Sequence, residues 1–160
     1  MKRLRLYFDC SSVSALEEPS KPERMKVMRT LWEMIKKGDY EVVFSGVLLE
    51  ELMRINDIEK RDIILYRLTE IEAELIEISE EARKIARKVI KNGILTENHY
   101  DDCTHIGCAM TSRCDTIVSY NFNHMVNVRV IKGVRSISFL EGYGDIDIVT
   151  PEALIKGEET

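Results

Sequence analysis

The chain has too few cysteines and too few apolar runs for several classes of protein. Four cysteines in 160 residues are too few for a disulfide scaffold, and none of them forms a C-x-x-C pair. No apolar run approaches the ~20 residues that span a bilayer. The basic N-terminus reaches Asp9 after a very short apolar stretch, which is not the pattern of a secretory signal. We therefore expect a cytoplasmic protein without membrane attachment.

Several familiar motifs are missing as well. The sequence has no G-x-x-x-x-G-K-[ST] phosphate loop, no G-x-G-x-x-G dinucleotide fingerprint and no G-x-S-x-G nucleophile elbow. Internal repeats, low-complexity tracts and Gly/Ser-rich linkers are also absent. The sequence therefore predicts a single domain over residues 1–155, followed by a short acidic tail, residues 156–160.

The composition is that of a globular protein with a heavily charged surface. Apolar residues make up 44% of the chain and charged residues 32%, and a chain of this length can bury roughly 70% of its unfolded surface. The formal charge is −5, from 23 basic and 28 acidic residues. Taken alone, this charge argues against a protein that coats nucleic acid through bulk electrostatic attraction.

Short apolar strands alternate with helical patterns along the chain. Strand patterns occur at residues 3–8, 40–44, 73–78, 116–119 and 146–149. Between them, apolar residues recur at helical spacing, and helices are predicted to begin at Ser45 and Ser79 and to end at Gly38 and Gly93. This alternation predicts a parallel α/β sheet covered on both faces. Such a sheet places functional groups at the carboxyl ends of its strands.

Carboxylates lie at the edges of these elements rather than on ordinary helix faces: Asp9, Glu50, Glu51, Asp101, Asp102 and Asp115. Acids gathered at one sheet edge repel each other unless a cation neutralises them, and their hard oxygens suit Mg²⁺ or Mn²⁺. The alternative is that acids at helix starts only favour the helix dipole. That alternative explains Glu50 and Asp101 well, but it explains Asp9 at a strand end poorly.

Cysteine and histidine side chains near the third group of acids raise the question of a zinc site. Cys103, Cys108 and Cys114 lie close in sequence to His99 and His105. Their gaps of about four and five residues within a helical segment do not place the sulfurs cleanly on one helical face. Buried free thiols are the favoured interpretation.

Four sequence blocks resemble those of the PIN-domain ribonucleases, the family of the VapC toxins. They are residues 7–13 (YFDCSSV), 45–52 (SGVLLEEL), 102–109 (DCTHIGCA) and 114–124 (CDTIVSYNFNH). The phase of the second block favours Glu51 over Glu50 as the family's glutamate. The resemblance covers nearly the whole chain and implies a PIN-like three-layer α/β/α fold with a central, mainly parallel sheet.

The same resemblance implies a metal-dependent endoribonuclease that hydrolyses RNA phosphodiester bonds, as the toxin of a toxin–antitoxin pair. Its catalytic carboxylates would be Asp9, Glu51, Asp102 and Asp115, binding Mg²⁺ or Mn²⁺ with help from Asn121. Implied partners are RNA, an antitoxin protein and a second copy of the chain. Because many relatives have an acid near the position of Asn121, the alternative is a weak or inactive PIN-like module that binds RNA or a protein.

Other polar residues in these blocks are predicted to support the site: Ser11, Ser45, His105, Asn121 and His124. The two serines either bond to carboxylates or cap helices, and capping is the commoner role. His105 is expected to form structural contacts, whereas for His124 a phosphate contact and a turn cap remain equally open. The basic face of the helix after Ser79 is either an RNA contact, through Arg83, Arg87 and Lys91, or an ordinary solvated face.

Overall fold

Five strands form one sheet in the order β3-β2-β1-β4-β5. The computed structural model describes residues 2–155, so the predicted acidic tail lies outside the described residues. The strands are β1 (Arg5–Phe8), β2 (Glu41–Ser45), β3 (Glu74–Ile76), β4 (Thr116–Val118) and β5 (Asp147–Val149). All four pairings between them are parallel. The predicted parallel sheet is therefore confirmed.

Eight helices connect and flank these strands in the described part of the chain. They are α1 (Cys10–Ser14), α2 (Pro22–Lys36), α3 (Gly46–Met53), α4 (Ile58–Leu68), α5 (Glu80–Lys91), α6 (Tyr100–Thr111), α7 (Val128–Leu140) and α8 (Pro151–Ile155). Short 3-10 turns occupy Ala15–Glu17 and Glu97–His99. Between residues 2 and 155, no helix is both long and apolar enough to cross a membrane.

Local sequence signals explain where the best-predicted helices begin and end. The Ser79 hydroxyl accepts a hydrogen bond from the Ala82 backbone N–H at 3.0 Å and caps α5. Gly38 and Gly93 follow α2 and α5 with φ of +92° and +72°, a conformation that glycine adopts without steric cost. Both helix ends agree with the sequence prediction.

Helices cover both faces of the sheet, because alternate residues of each buried strand point to opposite sides. On one face, Tyr7, Val43 and Ile117 pack against α5, α6 and α7. On the other, Leu6, Phe8 and Phe44 pack against α2, α3 and α4, with Trp32 of α2 almost fully buried. The predicted three-layer α/β/α fold class is confirmed.

The sequence analysis did not predict α7, the longest of the helices that it missed. It is capped by Asn127, whose side chain accepts from the Val130 backbone N–H at 3.0 Å. Its ends carry large exposed apolar residues, Val128, Phe139 and Leu140. These residues lie off the buried face and obscure the helical period from which an amphipathic helix is predicted.

Candidate active site

Asp9 is buried at the carboxyl end of β1, with a relative exposure of 3%. Its Oδ1 accepts hydrogen bonds from Ser11 Oγ (2.7 Å), Ser12 N (3.0 Å) and Ser12 Oγ (3.1 Å). Its Oδ2 accepts from Ser119 Oγ at 2.5 Å, at the end of β4. Asp9 therefore caps α1 as well as facing the end of the neighbouring strand, and Ser11 bonds to a carboxylate rather than capping a helix.

Glu51 is held by a buried chain of polar groups that crosses from α3 to the sheet. His105 Nε2 contacts Glu51 Oε1, and His105 Nδ1 lies 2.5 Å from the Tyr7 hydroxyl. That hydroxyl also lies 2.6 Å from Ser45 Oγ. The prediction that Ser45 caps α3 is therefore wrong, since its side chain makes no capping bond and pairs with Tyr7 instead.

Neighbouring acids raise the pKa of His105. Burial lowers the pKa of His105, but the hydrogen bond and negative charge of Glu51, with the charges of Asp9 and Asp102, outweigh it and raise the pKa overall. Burial also raises the pKa of the Tyr7 phenol well above its usual range, so Tyr7 remains a neutral hydroxyl. The predicted structural role of His105 agrees with this geometry.

Asp102 lies in the first turn of α6, beside the loop that follows β4. Its Oδ2 is 3.5 Å from Asn121 Nδ2 and 3.3 Å from His124 Nδ1. The Asn121 side chain in turn accepts from the His124 backbone N–H at 3.1 Å. Burial raises the pKa of Asp102, and the nearby charges of Asp9 and Glu51 raise it further.

The topology explains why these acids meet. Asp9 follows β1, and Glu51 lies on the helix that follows β2. A helix that connects parallel strands runs back across the sheet, so the N-terminal turn of α6, with Asp102, lies at the carboxyl edge of the strands. Side chains from three distant sequence blocks therefore lie at the same edge of the sheet, near enough for the charges of Asp9 and Glu51 to raise the pKa of Asp102.

Asp115 does not join this group, contrary to the sequence-based assignment. It precedes β4, whereas Ser119, which reaches Asp9, follows that strand. Four residues of extended chain separate the two edges by ~13 Å. The Asp115 carboxylate instead accepts from the Arg5 backbone N–H at 2.8 Å, at the start of β1. Asp115 therefore stabilises the opposite edge of the sheet, and we leave it out of the site.

Asp9, Glu51 and Asp102 offer oxygen donors of the kind that a hard dication prefers, and they lie near enough for their charges to act on one another. Three donors occupy Oδ1 of Asp9, and one donor reaches its Oδ2. Because a carboxylate offers about four acceptor positions on its two oxygens, Oδ2 can still bind a further partner. Glu51 and Asp102 are partly exposed, at 24% and 18%, and so are accessible from solvent. Carboxylate oxygens are the ligands that Mg²⁺ and Mn²⁺ prefer.

A basic and aromatic surface adjoins the acids, and the sequence analysis missed it. The Arg24 guanidinium lies 4.8 Å from the ring centroid of Tyr120 and 5.3 Å from that of Phe122. Arg24, Lys21 and Tyr120 line a cavity of about 210 Å³ that includes Ser11, the residue bonded to Asp9. Phe122 is 48% exposed. The signal available in the sequence was the YNF segment directly after β4.

The predicted RNA-binding residues of α5 lie apart from this surface. Arg87 pairs with Glu80 of the same helix at 2.9 Å, and Arg83 is near enough to Cys108 to affect its pKa. Lys91 is exposed near the end of α5. The role of Arg83, Arg87 and Lys91 in binding RNA stays a prediction.

Comparisons with known proteins show the fold. Neither the protein-family models nor the curated proteins give a match to this chain. In structure, the chain is similar to VapBC2 from Rickettsia felis, solved bound to a DNA fragment from its promoter, with a TM-score of 0.56 and 12% identity over 91% of this chain and 98% of that chain. It is also similar to VapC20 from Mycobacterium tuberculosis, a sarcin-ricin loop cleaving toxin, with a TM-score of 0.57 and 14% identity over 74% of this chain and 92% of that chain. The chain has the fold of a VapC-like PIN domain, as its sequence blocks predicted.

Proposed function

We propose that the protein is a metal-dependent endoribonuclease that hydrolyses RNA phosphodiester bonds. The observation that carries this proposal is the convergence of Asp9, Glu51 and Asp102 at the carboxyl edge of a sheet with the VapC fold. VapC20 is described as a toxin that cleaves the sarcin-ricin loop, and a nuclease function here agrees with that likeness.

In this proposal each residue of the site has a distinct task. Asp9, Glu51 and Asp102 hold Mg²⁺ or Mn²⁺, which when bound lowers the pKa of a water and offsets the charge that builds on the scissile phosphate. His105 holds the Glu51 side chain in place. His105 is itself held by the Tyr7 hydroxyl, which also contacts Ser45. One of the carboxylates orients the attacking water.

The surface around Arg24 supplies contacts for the RNA strand. Exposed Phe122 offers a ring face on which a base can stack, and Arg24 lies over it with a positive charge. Base–aromatic stacking combined with a basic groove is the usual means of binding single strands. Because the cavity beside Arg24 includes Ser11, a strand bound there passes next to Asp9.

Two features favour the alternative of a module that binds RNA or a protein without cutting it. Asn121 contributes no charge to the site. The Oδ1 atom of Asp9 is fully occupied by three hydrogen bonds, including the one from Ser12 N by which Asp9 caps α1. Under this alternative the Arg24 surface binds RNA, but the acids do no chemistry.

An antitoxin partner and self-association are also proposals. VapBC2 was solved bound to a DNA fragment from its promoter. In this chain, α3 and α4 expose Met53, Ile58 and Tyr66, at 58%, 59% and 68%. A partner would cover such apolar side chains. Co-purification with the product of a small neighbouring reading frame tests the pairing, and sedimentation of the isolated chain tests the dimer.

The decisive experiment is cleavage of a mixed single-stranded RNA pool with Mg²⁺ or Mn²⁺, comparing Glu51→Gln with Glu50→Gln. These neighbours share one helix, but in our proposal only Glu51 faces the metal. We expect Glu50→Gln to cleave like the parent and Glu51→Gln to lose at least about 100-fold in rate, since electrostatic groups of this kind contribute on that order. EDTA should abolish cleavage.

A second matched pair consists of Asp102→Asn and the neighbouring substitution Asp101→Asn. Asp9→Asn is a third test of the same site in the same cleavage assay. Asp101 pairs with Arg54 at 2.8 Å on the surface, so its replacement should have little effect. If the parent does not cleave, or Glu51→Gln cleaves as fast as the parent, the nuclease proposal fails and the binding module remains.

A further inference from the structure

Three side chains of the types that can ligate metals lie close together around the first turn of α6. His99 ends the 3-10 turn before α6, Asp102 lies in the first turn of α6, and His124 lies after β4. One ligand atom from each residue lies within 4.8 Å of those of the other two. The imidazole rings of His99 and His124 have centroids 3.5 Å apart, with 30° between their planes.

The distance between two of these atoms, one from His124 and one from Asp102, is close to that between two ligands of one ion. Zinc binds imidazole nitrogen and carboxylate oxygen at about 2.0–2.2 Å, so two ligands of a tetrahedral ion are roughly 3.3–3.5 Å apart. His124 Nδ1 and Asp102 Oδ2 are 3.3 Å apart. The His124 side chain is 31% exposed, so an ion can reach the cluster from solvent.

Asn121 holds this arrangement in place. Its Oδ1 accepts from the His124 backbone N–H at 3.1 Å, and its Nδ2 lies 3.4 Å from His124 Nδ1 and 3.5 Å from Asp102 Oδ2. The Asn121 backbone N–H donates to Ser119 Oγ at 3.0 Å. The loop with His124 is therefore tied to the end of β4, which orients the imidazole toward Asp102.

We propose that His99, Asp102 and His124 bind one divalent transition-metal ion of the class that favours imidazole, such as Zn²⁺ or Co²⁺. Two nitrogen donors select this class over Mg²⁺, which prefers oxygen ligands and retains its waters. The site shares only Asp102 with the oxygen ligands Asp9 and Glu51. It requires no RNA cleavage, so it holds or fails independently of the proposed nuclease.

The test is calorimetric titration of the metal-free, full-length chain with Zn²⁺. His99→Ala and His124→Ala remove the ligands, and Asn98→Ala and Asn123→Ala change exposed neighbours in the same two segments. We expect the parent and both asparagine variants to bind one Zn²⁺ per chain. Each histidine variant should bind at least about 100-fold more weakly, because losing a group that only orients a ligand already costs 10–100-fold.

Other outcomes overturn the proposal. These are unchanged Zn²⁺ affinity in both histidine variants, or affinity lost in Asp9→Asn and Glu51→Gln but kept in His99→Ala. X-ray absorption of the Zn²⁺-loaded parent adds a readout that needs no variant. Imidazole scattering from two histidines supports the site, whereas an oxygen-only or sulfur-containing shell contradicts it. Thermal unfolding in metal-free buffer shows that each variant is folded.

Discussion

At the residue scale, the site depends on partners behind the acids as much as on the acids themselves. Glu51 is partly exposed, but it contacts a histidine that is almost completely buried. His105 in turn contacts Tyr7 of the central strand. The resemblance in sequence pointed to Glu51, His105 and Ser45. It assigned no role to Tyr7, which joins His105 to Ser45, because a buried hydrogen-bond network is assembled by tertiary packing.

His105→Ala should destabilise the protein by about 2–4 kcal/mol. The substitution leaves a cavity and removes a hydrogen-bond partner from both Tyr7 and Glu51. Urea unfolding in EDTA measures the loss. His124→Ala is the matched control, since His124 is 31% exposed and should cost less than about 1 kcal/mol. Equal losses of stability in the two variants would show that the contacts of His105 with Tyr7 and Glu51 contribute no more than those of a partly exposed histidine.

Phe122→Ala should weaken RNA binding without affecting the fold. Stacking of a base on an aromatic ring contributes about 1–3 kcal/mol, so we expect KM for a single-stranded RNA to rise about tenfold, with kcat less affected. Phe139→Ala removes a phenyl ring of α7 that is 62% exposed, compared with 48% for Phe122, and should leave KM unchanged. The same KM in both variants would exclude the Arg24 surface as an RNA contact.

At the element scale, the sequence predicted all five strands to within a few residues and most of the flanking helices. It was wrong where the direction of a strand, or competition between two hydrogen-bond partners, decides where a side chain lies. Asp115 and Asp9 both adjoin a strand, but Asp115 precedes β4, whereas Asp9 follows β1. In a parallel sheet those positions lie at opposite edges. Ser45 had a helix to cap, but the Tyr7 hydroxyl competes for it at 2.6 Å. Only the packed structure shows which partner prevails.

Gly107→Ala tests the closest approach between two helices. A Cβ at Gly107 would lie 2.1 Å from the Ala82 carbonyl oxygen of α5, so the backbones of α5 and α6 would have to separate. We expect a loss of at least about 1–3 kcal/mol, as for other overpacked sites, seen as a lower midpoint of urea unfolding.

Gly133→Ala is the control for that substitution. Its Cβ would meet only the side chain of Ile94, at 2.6 Å, and a side chain can move aside. Alanine also favours a helix interior over glycine by about 1 kcal/mol. Gly133→Ala should therefore be close to neutral. If Gly133→Ala lowers the free energy of unfolding as much as Gly107→Ala does, the close approach of the α5 and α6 backbones does not explain the effect at Gly107.

At the scale of the whole molecule, the charge of −5 now has a more local explanation. The number of acids in the set Asp9, Glu51, Asp101, Asp102 and Asp115 equals this acidic excess. The structure gathers only three of them. Asp101 pairs with Arg54, and Asp115 bonds to the other edge of the sheet. The acidic excess of the chain is therefore divided among several separate contacts, and only part of it lies at the proposed metal site.

Chemical labelling of the four cysteines can show whether the two faces of the sheet unfold together. Burial raises the pKa of Cys10, Cys108 and Cys114 to about 11 and that of Cys103 to about 12. Cys10 packs on the α2–α4 face, and the other three on the α5–α7 face. Because a raised pKa keeps a thiol protonated to higher pH, only roughly one thiol in a thousand is ionised at pH 8.

A thiol reagent at pH 8 should therefore leave the native protein unlabelled and label all four cysteines in urea. Both faces share one five-stranded sheet, and a single domain of this size unfolds cooperatively. We expect the labelling of Cys10 and of Cys103, followed by mass spectrometry, to show one urea midpoint. Two separate midpoints would contradict the predicted single domain. Rapid labelling of any one native cysteine would instead identify a thiol that local opening exposes, since labelling requires the ionised, accessible form.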